Sequence, residues 1–235
     1  CIMVNKRGNP EMLGEGGMGK VYKGFRKYDT SPVAIKVIDV AKHTRFQQES
    51  LQFEVEVLHR VVDHPHLVEL LDVIYSDNGR YVFIVTEICS GGDLWHYTRT
   101  GIREDEALRL FRQLVDGLEY MHRQGVVHLD LKRENILFKD EGVKNSTLKI
   151  VDFGFSRKCA VYEKSVSPVL FNKSVGTKGC IAPEVLQGSY RGPEADVWSL
   201  GVVLFEMLTG KNPFHREEAG SVAQNHLVKN GFFDK

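Results

Sequence analysis

Asp130, Lys132 and Asn135 stand together in His128-Leu129-Asp130-Leu131-Lys132-Arg133-Glu134-Asn135, and Asp152 opens Asp152-Phe153-Gly154 further on. These residue types suit one kind of chemistry. An aspartate can accept the proton of a hydroxyl, asparagine and aspartate oxygens can hold Mg²⁺, and a lysine can neutralise a phosphate in transfer. Upstream lies Leu13-Gly14-Glu15-Gly16-Gly17-Met18-Gly19-Lys20-Val21, followed by Val33-Ala34-Ile35-Lys36; downstream lies Ala182-Pro183-Glu184. Each run alone is weak, since glycines serve ordinary turns and a dinucleotide-binding fold has a similar glycine pattern. Here Val21 and Tyr22 read as a strand, where that fold needs a helix. Lys36 follows Gly19 at a distance that leaves room for a strand, a turn and a second strand.

The elements that must position these groups divide the chain in two. Residues 11–40 read as strand, glycine turn, strand, turn and strand, with Asp29-Thr30-Ser31-Pro32 as the second turn. Residues 46–62 read as a helix, because Phe53, Val57, Leu58 and Val61 recur at helical spacing. His64-Pro65 is expected to end it. Two strands, 68–75 and 81–86, join through Asp77-Asn78-Gly79. The result is a small antiparallel sheet with one helix. Ser90-Gly91-Gly92 reads as a hinge, after which the pattern turns helical. Residues 104–122 carry Leu110, Phe111, Leu114, Leu118 and Met121 on one stripe, with acids at the positive end of the helix dipole. Short strands bracket the motif runs, and a very apolar helix begins near Asp196.

Composition sets outer bounds. With 235 residues, 42% of them hydrophobic, the chain can bury a substantial core. The 31 basic and 31 acidic residues leave no net charge, so nothing in the balance argues for nucleic acid or a membrane surface. Cys1, Cys89, Cys159 and Cys180 are widely separated and read as free thiols in a reducing compartment, so an intracellular, cytoplasmic location is expected. His64 and His66 flank a proline in a loop and do not read as metal ligands. No apolar run reaches membrane-spanning length. The chain begins at Cys1 rather than Met and reads as a segment of a larger protein.

The motif runs, in this order, resemble the protein kinase family over nearly the whole chain. The resemblance implies an α+β, bilobal fold within residues 1–235: a small sheet lobe (11–86), a hinge (87–92) and a larger, mainly helical lobe (93–235) lacking its last helices. It implies ATP and Mg²⁺ as cofactors. Leu13, Gly14, Gly16 and Gly19 would cover the triphosphate. Lys36 would bind its α- and β-phosphates, held by a helix carboxylate: Glu54, four residues before Leu58, is favoured over Glu56. Val21, Ala34 and Leu137 resemble the apolar grip on adenine. Thr86 would lie beside the adenine pocket, Glu87 and Cys89 would meet the base through their backbone, and Asp93 would border the site. Asp130 would be the base, Lys132 its partner at the phosphate, and Asn135 and Asp152 the metal ligands. Lys132 and Thr177 resemble serine/threonine rather than tyrosine kinases. Glu184 and Asp196 read as structural.

Leu129 departs from the arginine that most relatives carry before the aspartate. With Asp152-Phe153-Gly154-Phe155-Ser156, it tilts the resemblance to the calcium/calmodulin-dependent kinase group. Arg133 replaces the commoner proline, and residues 140–146 look like an inserted loop. The resemblance implies a monomer acting on a Ser/Thr of a protein substrate, with Asp93, Glu134 and Glu206 receiving basic residues before the target. Leu129 implies that the long segment 155–181, with Ser165, Ser167 and Ser174, orders without a phosphate; control would come from a flanking segment or partner. The rival reading is a pseudokinase, the same fold used as a nucleotide-binding scaffold. A small-molecule kinase is disfavoured by Ala182-Pro183-Glu184 and the long segment.

Overall fold

Pairing register decides which side chains the sheet offers to a ligand, and a computed structural model supplies that register. It describes residues 1–4, 8–16, 18–142, 146–159, 176–187 and 192–214. Strands β1 (Met12–Gly16), β2 (Gly19–Phe25), β3 (Pro32–Asp39), β4 (Leu70–Tyr75) and β5 (Tyr81–Glu87) form one antiparallel sheet in the order β1-β2-β3-β5-β4. Val21 pairs with Lys36, Ala34 with Thr86, and Lys36 with Ile84. Paired residues share a face and alternate residues on one strand do too. The five therefore project from one side of the sheet.

Helix α1 (Arg45–Arg60) packs on that side. Its start is specified by a capping box, in which Thr44 and Gln47 satisfy each other's backbone N–H groups. Leu51, Leu58 and Val61 are buried, and so is Glu54. Those spacings define one stripe at 3.6 residues per turn. Phe53, expected in that stripe, lies one residue and about 100° off it and is 37% exposed. The helix also ends at Arg60, before His64-Pro65, with Val61 as its cap.

The expected hinge is not a free pivot. Ser90 and Gly91 donate to the carbonyls of Lys139 and Phe138, and Phe138 donates back to Gly92 at 2.8 Å. A Cβ on Gly91 would fall 2.2 Å from the Asp140 carbonyl, so glycine serves close backbone approach here. Beyond it come α2 (Leu94–Thr98), α3 (Glu104–Arg123), β6 (Val126–Val127), a 3-10 turn at Arg133–Asn135, β7 (Ile136–Phe138), β8 (Leu148–Ile150), β9 (Arg157–Lys158), α4 (Pro183–Gln187) and α5 (Gly192–Thr209). The apolar helix thus begins four residues earlier than its reading near Asp196. Strand β6 pairs with β9, and β7 with β8.

Leu110, Leu114, Leu118 and Met121 of α3 are buried as expected, while Phe111 packs at the edge. One apolar core runs without a break from Ile38, Leu58 and Ile84 on the sheet side to Leu114, Leu148, Phe153 and Val203 on the helical side. A second cluster joins Val127 and Leu129 to Ala182, Val185 and Ala195. Ser165, Ser167, Ser174 and the end of the chain from His215 lie outside the described residues. Among the described residues no helix is long and apolar enough to cross a membrane.

Candidate active site

Strand β3 aims Lys36 at α1 and at the Asp152 turn. Its Nζ lies 2.6 Å from Glu54 Oε1 and 3.2 Å from Asp152 Oδ1. Burial acts to lower the Lys36 pKa, yet the two carboxylates outweigh it and raise the pKa, holding the ammonium charged. Glu54 is pushed up by its own burial, against the pull of Lys36. Burial also acts to raise the Asp152 pKa, but Lys36, His128 and the Gly154 N–H bring it below the usual carboxylate value. Asp152 adopts φ +60°, an uncommon left-handed conformation for a non-glycine residue. Phe153 anchors the turn in the core with 1% exposure. Glu56, the rejected alternative, faces outward and pairs with Lys158.

A second group closes around Asp130. Its Oδ1 accepts from the Thr177 hydroxyl at 2.6 Å, and its Oδ2 accepts from Asn135 Nδ2 at 3.1 Å and lies 3.0 Å from Lys132 Nζ. Lys132 also donates to Thr177 at 2.7 Å. Thr177 is brought here by Gly176, at φ +109°, where a Cβ would sit 2.7 Å from the Leu129 carbonyl. The loop itself hangs on Asp196 in α5. That carboxylate accepts from the N–H groups of His128 and Leu129 at 2.8 and 2.7 Å and lies 2.8 Å from His122 Nε2.

Val21, Ala34 and Leu137, expected to grip adenine, are all half-buried, and an isolated bridge pairs Leu137 with Asp93. Asp93 caps α2 through His96 N–H at 2.7 Å and also contacts the His96 ring. Thr86 shares the Ala34–Lys36 face. Cys89 N–H and C=O have no backbone partner among the described residues. Glu87, expected to act only through its backbone, has a second task. Its carboxylate sits 2.6 Å from Lys149 and 3.0 Å from Lys139, and it accepts from Glu69 N–H. Gly14 and Gly16 have nothing within 4 Å of an added Cβ, whereas at Gly19 the Val37 carbonyl would be 2.4 Å away.

Two features escaped the motif reading. Glu206 does not wait for a substrate arginine: Arg133, 4% exposed, lies against it with Nε 3.1 Å from Oε2. The rule that a buried charge needs a partner held; the partner is internal. Arg157 stacks over Phe53 at 5.5 Å and donates to Ser50 at 3.1 Å, while Lys158 pairs with Glu56. Both cations brace α1. Their position just after Phe155-Ser156 gave no sign of it, since the contact spans about a hundred residues.

Residues 9–232 match the protein kinase domain family. The chain is similar to the hormonally up-regulated neu tumor-associated kinase homolog of Xenopus tropicalis, 40% identical over 206 residues that cover 86% of this chain and 28% of that protein. It is similar to CBL-interacting serine/threonine-protein kinase 2 of Arabidopsis thaliana, 38% identical over 207 residues, 87% of this chain and 43% of that protein. The chain spans less than half the length of either relative. It belongs to the protein kinase family. Within that family it is a serine/threonine kinase domain of the calcium/calmodulin-dependent kinase type.

Proposed function

We propose that this domain transfers the γ-phosphate of Mg·ATP to a serine or threonine hydroxyl of a protein, as a single two-lobed unit. The observation that carries the reading is Lys36 bridging Glu54 and Asp152 at 2.6 and 3.2 Å, with Asp130 ringed by Lys132, Asn135 and Thr177. A pseudokinase scaffold, the alternative, has no need of so complete a set. Mg·ATP, when bound, supplies the phosphoryl group and the metal charge that steadies its transfer.

The residues fit that cofactor. Glu54 Oε2 is buried without a hydrogen bond, and 43% of the Asp152 side chain is open. Asn135 spends its amide nitrogen on Asp130, which leaves its oxygen for a cation. Among the described residues no three acids, histidines or cysteines converge on a metal site; two oxygen ligands suit a Mg²⁺ that keeps waters and phosphate oxygens. Leu13, Gly14, Gly16 and Gly19 would cover the phosphates, with Lys36 at the α- and β-positions. Val21, Ala34, Thr86 and Leu137 would enclose the base, and Cys89 and Glu87 would offer it backbone groups, with Asp93 at the rim.

Asp130 would orient the target hydroxyl and take its proton late. It already holds one hydroxyl, that of Thr177, the same chemical group as the substrate's. Lys132 would balance charge at the phosphate. Glu134 is exposed and would meet a basic residue before the target. The protein would act as a cytoplasmic monomer under a flanking segment or partner.

Asp130→Asn should keep nucleotide affinity within about threefold and lose about 10²–10⁴ in turnover. Asp152→Asn should weaken both. Titration calorimetry with Mg·ATP and a radiolabelled phosphotransfer assay on the full-length protein read the two quantities separately. Wild-type turnover in Asp130→Asn at saturating peptide would overturn the assignment.

A further inference from the structure

We infer that Arg133 permanently occupies a guanidinium site bordering the substrate groove, and so restricts the basic residues this domain accepts. The inference rests on the phosphotransfer reading above. Arg133 lies between Lys132, which touches Asp130 and Thr177, and Glu134, which is exposed and makes no hydrogen bond or ion pair among the described residues. Unlike both neighbours it turns inward. Its Nη1 donates to Thr98 Oγ1 at 2.9 Å, to Thr98 O at 3.3 Å and to Glu206 O at 3.4 Å, and its Nε lies 3.1 Å from Glu206 Oε2.

Two carbonyls and a hydroxyl accept from Nη1, while the Glu206 carboxylate meets Nε by charge alone; the spread of a guanidinium spans these partners where the point charge of an ammonium would not. The site's other wall reaches the Thr177 segment. Asn212 donates to Glu206 Oε1 at 2.9 Å and to the Gly179 carbonyl at 3.3 Å. The acids Asp130, Glu134 and Glu206 all bear on the buried thiol of Cys180, whose pKa burial and these charges raise. The site therefore lies beside the loop that carries Asp130 and beneath the segment that carries Thr177. An acidic cavity there would draw a substrate cation. Arg133 fills it first, and the Asp93 carboxylate is engaged by His96, which leaves Glu134 as the acid able to read the substrate.

The test uses full-length protein and peptides that carry arginine at each position from five to two before a single serine. Wild type should select a basic residue at one position only. Arg133→Ala should gain about tenfold in kcat/KM for a second arginine, the scale of one hydrogen-bonded charge pair. The arginine peptide should also raise the Tm of that variant, and not of wild type, relative to its alanine counterpart. Arg133→Ala/Glu206→Gln should show neither gain.

A folded Arg133→Ala that phosphorylates a reference peptide without new arginine selection overturns the inference and leaves the kinase reading standing. Absence of phosphotransfer by wild type on every peptide overturns the kinase reading instead, and the Tm comparison still decides the site. Should Arg133→Ala not fold, the double variant decides. Arginine selection equal to wild type supports an occupied Glu206, and loss of selection at any position refutes it.

Discussion

Asp196 shows how one buried side chain can hold a catalytic loop. It is 0% exposed and accepts from two backbone N–H groups of the His128–Leu129 turn, where Leu129 takes φ +65°. Asp196→Ala would strand two buried donors at about 1–3 kcal/mol each. We expect a stability loss of about 2–5 kcal/mol by urea unfolding, with phosphotransfer falling more than nucleotide affinity; a loss under 1 kcal/mol would contradict this. Cys89 and Cys180 allow a second prediction. Burial first, then nearby Glu87 for one and Glu206 for the other, pushes both thiols up to about 12. Only the thiolate reacts. Iodoacetamide at pH 8 should label exposed Cys1 far ahead of both, and their rates should rise about a hundredfold from pH 7 to 9 without levelling. Equal native labelling in mass spectrometry would count against it. At this scale the sequence was most legible where types were rare and ordered: Glu54, not Glu56, meets Lys36 because Leu58 marks its face. It was least legible at Glu206, since no spacing rule tells that Arg133, 73 positions away, turns inward.

Helix α1 is braced from beneath by β9, at residues on either side of Glu54. Arg157 reaches Ser50 and Phe53 on the turn before Glu54, and Lys158 reaches Glu56 just after it. Stacking on a partly exposed ring is worth about 0.5–1 kcal/mol, and the exposed Lys158 pair about 0–1 kcal/mol. Arg157→Ala should therefore cut kcat several-fold and speed amide exchange across residues 49–58, whereas Lys158→Ala should change both less. Unchanged exchange in Arg157→Ala would remove the brace. The five strands of the sheet and the long helices α1, α3 and α5 were readable from periodicity and turn residues, whereas the short α2 and α4 were not. The faces were not always so: Phe53 looked like core because Phe is apolar, yet the helical angle puts it under a guanidinium. Gly91 looked like a hinge because glycine permits bending, yet here it permits contact.

For the molecule as a whole, the proposed reading gives Leu129 a bearing on regulation. It packs with Ala182, Val185 and Ala195 where an arginine would have faced a phosphate. The end of the long segment is thus held by apolar contact, which needs no phosphate. Phosphatase-treated full-length protein should keep most of its activity, as should a variant with Ser165, Ser167 and Ser174 changed to alanine. A large loss in both, restored by an upstream kinase only in the unmutated form, would show control by phosphate. The two-part architecture was legible from motif order; the ion pairs that stitch the parts together were not, because their members are distant in sequence. The unbroken core from Ile38 through Phe153 to Val203 carries a consequence for folding itself. Neither half can lose its packing without exposing apolar surface of the other, so the sheet and the helices should melt as one cooperative unit. Calorimetry of the domain in its native chain should show a single transition for both, and cutting the chain at the apparent lobe boundary should yield two fragments that fold only together.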